Sequence, residues 1–158
     1  MGSGGVPDPL VRRATELPAG AWLAVQVPGN VDAPSRRALR EVAGRPPWRA
    51  ALTPLLREAP VDHAGSLVAA GCTVDAWETT YVHLLAAGPD ADHPVLTWLK
   101  GAALRPVRAA LDAAGWSAFR AALAVRLTEA YPVRHGQVYF PFRRIFLVAH
   151  TGFAQENS

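Results

Sequence analysis

Three runs of apolar residues, each bounded by turn residues, predict buried strands in this chain. The first run, residues 21–27, is followed by Pro28-Gly29-Asn30, and its nearly continuous apolar character favours a strand covered on both faces. The second run, residues 73–83, is dense in β-branched and aromatic side chains. A third, long strand is predicted over residues 138–149. The strands are separated by helical patterns, which makes the fold class α/β.

Helical spacing and capping residues predict about six helices between and around the strands. An amphipathic helix over residues 116–130 is indicated by apolar positions three and four apart, namely Trp116, Phe119, Leu123 and Leu127. Shorter helices are expected at residues 10–17, 35–43, 64–70, 94–104 and 106–114, with a partly helical stretch at 48–57. We expect side-chain caps at helix starts from Ser35, Asp62 and Asp92. We expect a helix to end just before Gly71.

Composition then excludes several classes of protein. With 50% hydrophobic and 18% charged residues, the 158-residue chain is not a disordered or tail-like protein. Its one cysteine, Cys72, excludes an intrachain disulfide and a cysteine-based zinc site, and favours a reducing, cytoplasmic location. No apolar stretch approaches the roughly 20 residues that a spanning helix needs, so no membrane partner is expected.

The charge pattern does not predict a nucleic-acid partner. The formal net charge is only +3, and acidic residues are interspersed among the arginine pairs. No basic run alternates with aromatic residues, as a groove for single-stranded nucleic acid would require. Lys100 is the only lysine, a bias that we attribute to codon usage rather than to function.

Several separate sequence blocks, in the same order, resemble one enzyme family. They are A-V-Q-V-P-G-N at residues 24–30, G-C-T-V-D-A-W-E-T-T-Y-V-H at 71–83, A-L-R-P at 103–106 and F-R-R-I-F-L-V-A at 142–149. Together they make the stretch from about residue 20 to residue 150 similar to the trans-aconitate 2-methyltransferase family.

The resemblance implies a Rossmann-like, S-adenosylmethionine (SAM)-dependent class I methyltransferase fold. Residues 21–27, 73–83 and 137–149 resemble its fifth, sixth and antiparallel seventh strands, and residues 84–135 a helical substrate-side segment. Strands one to four and the glycine-rich cofactor loop have no counterpart, because the cluster Gly2-Ser3-Gly4-Gly5 follows no predicted strand. We therefore expect a C-terminal part without the cofactor half: residues 1–19 form a flexible leader and remnant helix, 20–150 the methyltransferase part, and 151–158 a tail.

The implied reaction moves a methyl group from SAM to a carboxylate of trans-aconitate or a similar polycarboxylate. Because a carboxylate is already ionised at pH 7, the reaction needs no general base, and we nominate no catalytic and no metal-binding residue. The protein must instead orient the substrate and exclude water. Arginine suits that task, since its guanidinium group binds carboxylates through two hydrogen bonds.

Two arginines are candidates for binding substrate carboxylates. Arg144 lies inside an otherwise apolar strand, where it either clamps the substrate or pairs with Glu78 or Asp75. Arg105 precedes Pro106 at a helix break, where it either points into a cleft or is a surface residue at a helix end.

Four further candidates lie near the carboxyl ends of predicted strands, where ligands of open α/β sheets bind. Tyr81 and His83 share one strand face, and His83 is either a donor to a carboxylate or an ordinary half-buried strand histidine. Gln26 and Asn30 flank the turn after the first strand, and Asn30 is equally explained as a turn residue that tolerates a positive φ.

Five other residues have structural interpretations. Trp77 and Trp98 are expected in the core rather than against a ligand, and Cys72 as a small buried residue at a strand start. Asp92 and His93 resemble a metal pair only superficially and are interpreted as a cap and a loop residue.

A second function stays open at this point. The chain could be a non-catalytic remnant, or an interaction module that needs a separate cofactor-binding partner. The strand at residues 21–27 would then leave an unpaired sheet edge, and self-association or a partner is expected there.

Overall fold

The computed structural model describes residues 8–152, which form two compact units. Of these residues, unit 1 combines 8–28, Pro60–Thr79 and 143–152, and unit 2 combines Gly29–Ala59 with Thr80–Phe142. The described elements, in chain order, are α1 (Pro9–Glu16), β1 (Trp22–Pro28), α2 (Pro34–Ala43), α3 (Arg49–Leu52), a 3-10 helix (Thr53–Leu56), α4 (His63–Ala69), β2 (Thr73–Ala86), α5 (Pro94–Lys100), α6 (Arg105–Ala110), α7 (Ala113–Ala130) and β3 (Gln137–His150).

The three strands form one sheet in the order β1-β3-β2. Strand β3 is antiparallel to β1, in a register that places Trp22 opposite His150 and Pro28 opposite Arg144. The three predicted strands, the antiparallel last strand and the α/β class are therefore confirmed. The predicted leader and tail fall partly on residues 1–7 and 153–158, which lie outside the described residues.

The expectation that the first strand is covered on both faces is wrong for the chain as described. Burial alternates along β1, with half-buried residues at Leu23, Val25 and Val27 and exposed ones between them. Trp22, on the exposed face, keeps 68% of its accessible surface. An apolar run reports which side chains avoid water, but it does not report whether another element covers them.

The small buried cluster of unit 1 joins α1 and α4 to the sheet. Ala14, Leu67 and Ala149 are buried together. Asp8 caps α1 by accepting a hydrogen bond from the Leu10 amide at 2.9 Å, and its other carboxylate oxygen lies 2.6 Å from His63 Nδ1. The two helices are thus held by both apolar burial and one polar contact.

Helix α4 starts and ends with the residues that its sequence predicts. Asp62 caps its start by accepting a hydrogen bond from the Gly65 amide at 2.8 Å. Gly71 follows the last turn with φ of +92°, the left-handed region that glycine enters without a Cβ clash. This reversal leads the chain directly into β2, and it leaves Cys72 half-buried at the strand start.

The larger core lies in unit 2 and is built chiefly by α2 and α7. The stripe predicted on α7 is confirmed, because Phe119, Leu123 and Leu127 are fully buried. The other large members are Leu39, Val42, Leu52, Leu56, Val95, Leu96, Leu99, Leu104, Val107, Tyr131, Val138 and Phe140. Apolar residues thus fill one face of each helix, as the helical period of about 3.6 residues requires.

Two predicted helix starts are wrong. Ser35 does not cap α2: Ala33 is the cap position, and the buried Ser35 amide donates to the Tyr131 hydroxyl at 2.9 Å. Helix α5 is capped by His93, whose ring accepts from the Val95 amide at 3.3 Å, whereas Asp92 forms ion pairs. Local capping patterns do not show which of several neighbouring polar side chains a tertiary partner will take.

The segment predicted as two helices at 94–104 and 106–114 is divided differently. Helix α5 ends at Lys100, α6 spans Arg105–Ala110, and α7 begins early because Asp112 caps it through the Gly115 amide at 2.7 Å. No helix within residues 8–152 is long and apolar enough to cross a membrane.

The Thr151 hydroxyl provides a direct test of unit 1. It accepts a hydrogen bond from the Ala21 amide at 2.8 Å and donates to the Pro18 carbonyl at 2.7 Å, while the residue is 6% exposed. Thr151→Val removes both hydrogen bonds and leaves the part-buried Ala21 amide with only the Pro18 carbonyl at 3.2 Å, so the free energy of unfolding should fall by about 1 kcal/mol in urea titrations. Thr128→Val removes an exposed hydroxyl and should cost less than about 0.5 kcal/mol. Equal losses in the two variants would contradict this role.

Candidate functional site

Arg105 begins helix α6 and is exposed. Arg108 follows three residues later on the same helix, and residues at this spacing lie on one helical face. Neither side chain forms an ion pair with any residue of the 8–152 stretch. Arg105 lies at the start of α6, and its exposure fits the alternative of a surface residue at a helix end.

His83 lies in an aromatic cluster of unit 2. Its ring centroid is 4.8 Å from that of Trp98 and 6.1 Å from that of Phe142, and the residue is half-buried. This arrangement fits the interpretation as a half-buried strand histidine. Tyr81, two residues earlier on β2, is 45% exposed. Trp98 contacts the cluster but is 41% exposed, so the expectation of a core position holds only in part.

Gln26 and Arg144 share one face of the sheet in unit 1. Gln26 is opposite Phe146, and Arg144 is opposite Pro28, so the two candidates are diagonal neighbours across the β1–β3 pair. Gln26 is exposed and Arg144 is half-buried. Trp77 stacks on Phe146 at 5.5 Å between ring centroids, and it is 48% exposed rather than part of a core.

Glu78, one of the two acids considered as a partner of Arg144, binds Arg143 instead. The Arg143 Nε donates to Glu78 Oε2 at 2.8 Å. This hydrogen bond from Arg143 lowers the pKa of the Glu78 carboxyl group and raises the pKa of the Arg143 guanidinium. Side chains alternate along a strand, so the side chain of Arg144 points to the other face of β3.

Asn30 occupies the turn between β1 and α2, where its carbonyl accepts a hydrogen bond from the Ala33 amide at 3.0 Å. Asn30 does not have a positive φ, so the tolerance of asparagine for positive φ does not explain this residue. The structure places Gln26 and Arg144 in unit 1, and it places Asn30, Tyr81, His83 and Arg105 in unit 2.

A cluster of charged residues that the sequence did not single out lies beside α7. Asp92 binds both Lys100 and Arg120, and Arg120 contacts both carboxylate oxygens at 3.0 Å. The hydrogen bond from Lys100, followed by that from Arg120, lowers the pKa of Asp92. Arg108 and Arg120 both lie against Trp116, with their guanidinium carbons 5.3 and 6.0 Å from the ring centroid.

A groove of about 280 Å³ runs between α2 and α7 in unit 2. Its charged residues neutralise one another, because Arg126 binds both Glu41 and Glu129, and Glu41 also binds Arg45. Hydrogen bonding from Arg126 lowers the pKa of Glu41. The groove contains none of the six predicted site residues, and its lining residues are Pro34, Arg37, Ala38, Glu41, Arg126, Glu129 and Ala130.

The described residues do not form a cradle for SAM. At some described glycines an added Cβ would be crowded. At Gly65, Gly115 and Gly152 the crowding atoms belong to a helix-capping side chain or to backbone. No glycine-rich loop joins a strand to a helix within residues 8–152, and Gly2–Gly5 lies outside them. The described part also holds no group of three or more histidine, cysteine or acidic residues that could bind a metal ion.

Comparison with known proteins identifies the relatives of this chain. No family model matches it. Its sequence is 54% identical over 157 residues to a protein of Mycobacterium sp. (strain KMS), and 53% identical over 148 residues to one of Rhodococcus jostii (strain RHA1). A protein of Mycobacterium tuberculosis (strain ATCC 25177 / H37Ra) is 43% identical over 157 residues. All three are named trans-aconitate 2-methyltransferase.

The alignments cover most of this chain but only part of each relative. They include 92%, 89% and 95% of this chain, respectively. The chain spans about 59% of the Mycobacterium relatives and 57% of the Rhodococcus one. The resemblance of the sequence blocks is thus confirmed: over about nine tenths of its length, the chain is similar to proteins named trans-aconitate 2-methyltransferase.

Proposed function

We propose that this chain is the C-terminal, substrate-side part of a SAM-dependent methyltransferase. The reaction is methyl transfer to a carboxylate of trans-aconitate or a similar polycarboxylate. The observation that carries the proposal is the 43–54% identity to proteins of that name over about nine tenths of the chain. The antiparallel position of β3 beside β1 also fits the seventh strand that the resemblance implies.

The chemistry required of this chain is binding and orientation. A carboxylate at pH 7 is its own nucleophile, so the protein needs no base to activate it. The non-reacting carboxylates must be held, because a clamped substrate keeps the reacting oxygen in line with the methyl group. In unit 1, Arg144 is proposed to bind such a carboxylate, with Gln26 as its diagonal neighbour. In unit 2, Arg105 is the proposed residue for the same task, and Asn30, Tyr81 and His83 are proposed polar contacts.

The methyl donor is proposed to bind outside this chain. The described residues do not fit SAM, and the relatives contain about two fifths of their length that this chain does not span. A polypeptide equivalent to that part would supply the cofactor site. The cytoplasmic location expected from the single cysteine stays a prediction.

Complementation tests the proposed function. The chain is mixed with, or fused to, the part of the Rhodococcus jostii relative that it does not span, and then incubated with SAM and trans-aconitate. Mass spectrometry should detect a methyl ester only when both parts are present. A control lacks trans-aconitate. Absence of the ester from a folded, SAM-binding fusion would contradict the proposal.

Arg144 can be tested in the same fusion. Arg144→Lys keeps the positive charge but loses the planar, two-point contact with a carboxylate. We expect KM for trans-aconitate to rise about tenfold with little change in kcat, because loss of one charge-assisted hydrogen bond costs about 1.5 kcal/mol or more.

The neighbouring Arg143→Lys is the matched control. Arg143 is exposed and binds Glu78 on the other face of the same strand, so its replacement should leave KM within about twofold. If the two variants raise KM equally, or if only kcat falls in Arg144→Lys, the clamp role of Arg144 is wrong.

An interaction module is the second candidate function, and the edge of β1 favours it. The sheet order leaves one edge of β1 unpaired within the described residues. Trp22, the first residue of β1, is 68% exposed. A long apolar edge strand recruits another strand. A second copy of this chain is the proposed occupant, since two such edges pair through the same backbone groups.

Sedimentation equilibrium of the isolated chain tests this edge. The apparent mass should rise with concentration, and Trp22→Glu should shift the association to at least about tenfold higher concentration. Val125→Glu, which changes an exposed residue of α7, should leave the association unchanged. A monomer at every concentration, with one sharp unfolding transition, would contradict the module.

A further inference from the structure

In unit 2, residues 92–120, which include helices α5 and α6 and the start of α7, carry more positive than negative charge. The cations are Arg105 and Arg108 on α6, Arg120 on α7, and Lys100 at the end of α5. Asp92 pairs with Lys100 and Arg120, and the carboxylate of Asp112 caps α7. Four cations therefore accompany two acids, and no acid within residues 8–152 pairs with either arginine of α6.

Trp116 fixes the two arginines that flank it. The guanidinium carbon of Arg108 is 5.3 Å from the ring centroid, and that of Arg120 is 6.0 Å. A guanidinium group held against an aromatic ring keeps its N–H edges available for an anion, and it loses less freedom when the anion binds. Arg108 is exposed and forms no hydrogen bond within the described residues, so its donors face solvent.

Asp92 shows which ligand this cluster accepts. Its carboxylate lies between the Lys100 ammonium and the Arg120 guanidinium, with both oxygens in contact with Arg120. Both of these hydrogen bonds come from the Nη2 of Arg120, and its Nη1 has no carboxylate partner within residues 8–152, so the binding capacity of this guanidinium is not exhausted. Carboxylate is thus the anion already bound at one end of the cluster, and the other end is without one.

We propose that Arg108 and Arg120, which flank Trp116, and Arg105, one turn before Arg108 on α6, form a binding site for a polycarboxylate anion. The site rests on the proposed function, because it would hold the non-reacting carboxylates of that substrate. Arg105 and Arg108 bind one carboxylate from adjacent turns of α6, and Arg120 attracts a second. Separated cations favour an anion with several spaced carboxylates over a compact one such as phosphate.

Calorimetry on the full chain tests the site without any cofactor. The titrants are trans-aconitate and, separately, inorganic phosphate. Arg108→Ala removes an exposed side chain, so the fold should be retained, and circular dichroism and the melting temperature check this. We expect Arg108→Ala to weaken trans-aconitate binding about tenfold or more, the loss expected for a charge-assisted hydrogen bond.

Arg37→Ala is the matched control, because it removes an exposed arginine from the α2–α7 groove of the same unit. It should change trans-aconitate affinity less than about twofold. A second readout is the Trp116 indole N–H resonance, which is assigned with Trp116→Phe and should shift on titration with trans-aconitate. Phosphate should bind at least about tenfold more weakly than the tricarboxylate.

Three results would overturn the site: no binding of trans-aconitate by the unaltered chain, equal losses in Arg108→Ala and Arg37→Ala, or equal affinity for phosphate. The complementation assay separates this inference from the proposed function. Binding that depends on Arg108 without methyl transfer in the fusion refutes the proposed function and leaves the site. Methyl transfer with a KM unaffected by Arg108→Ala refutes the site and leaves the function.

Discussion

Strand β3 supplies hydrogen-bonding partners to both other strands, because it lies between them in the sheet. Its side chains also enter both buried clusters: Val138 and Phe140 belong to the core of unit 2, and Ala149 belongs to that of unit 1. The last strand of the chain must therefore be in place before either cluster is complete. Antiparallel pairing between the first and last strands has a high contact order, so we expect its formation to limit the folding rate.

Most of the positive charge of this chain comes from arginine. Two groups of arginines can be distinguished, those paired with a carboxylate and those without an ion pair among the described residues. Arg126, Arg143 and Arg120 are paired with carboxylates. Arg126 lowers the pKa of Glu41, Arg143 that of Glu78, and Lys100 together with Arg120 that of Asp92. Arg105 and Arg108 form no ion pair within residues 8–152. Since all these groups are partly exposed, the ion pairs contribute little to stability, and the unpaired arginines gain more from an anion than the paired ones do.

Local patterns predicted the elements well because their signals are short-ranged. The strands at Trp22–Pro28, Thr73–Ala86 and Gln137–His150 follow from apolar runs, and the stripe on α7 follows from its helical period. The same patterns did not predict which strand faces are buried or which polar side chain caps a helix. Trp22 and Trp77 are apolar but exposed, and His93 rather than Asp92 caps α5 because Asp92 binds Lys100 and Arg120.

The candidate site was predictable only where one strand or one turn carries it. Arg144 and Gln26 were both nominated, but their diagonal arrangement depends on the β1–β3 register, which no local pattern contains. The cluster around Trp116 was missed because it joins residues of three helices, and the break between two of them was predicted near residue 115 instead of at Leu111-Asp112. A charge cluster of this kind can be recognised only when the relative positions of its helices are known.

The central claim is that the substrate side is present in this chain and the cofactor side is not. Paired calorimetric titrations of one sample, with trans-aconitate and with SAM, test it most directly. The account predicts measurable heat of binding for trans-aconitate and none for SAM at micromolar to millimolar concentrations. Micromolar binding of SAM, or binding of neither ligand by a folded sample, would contradict it.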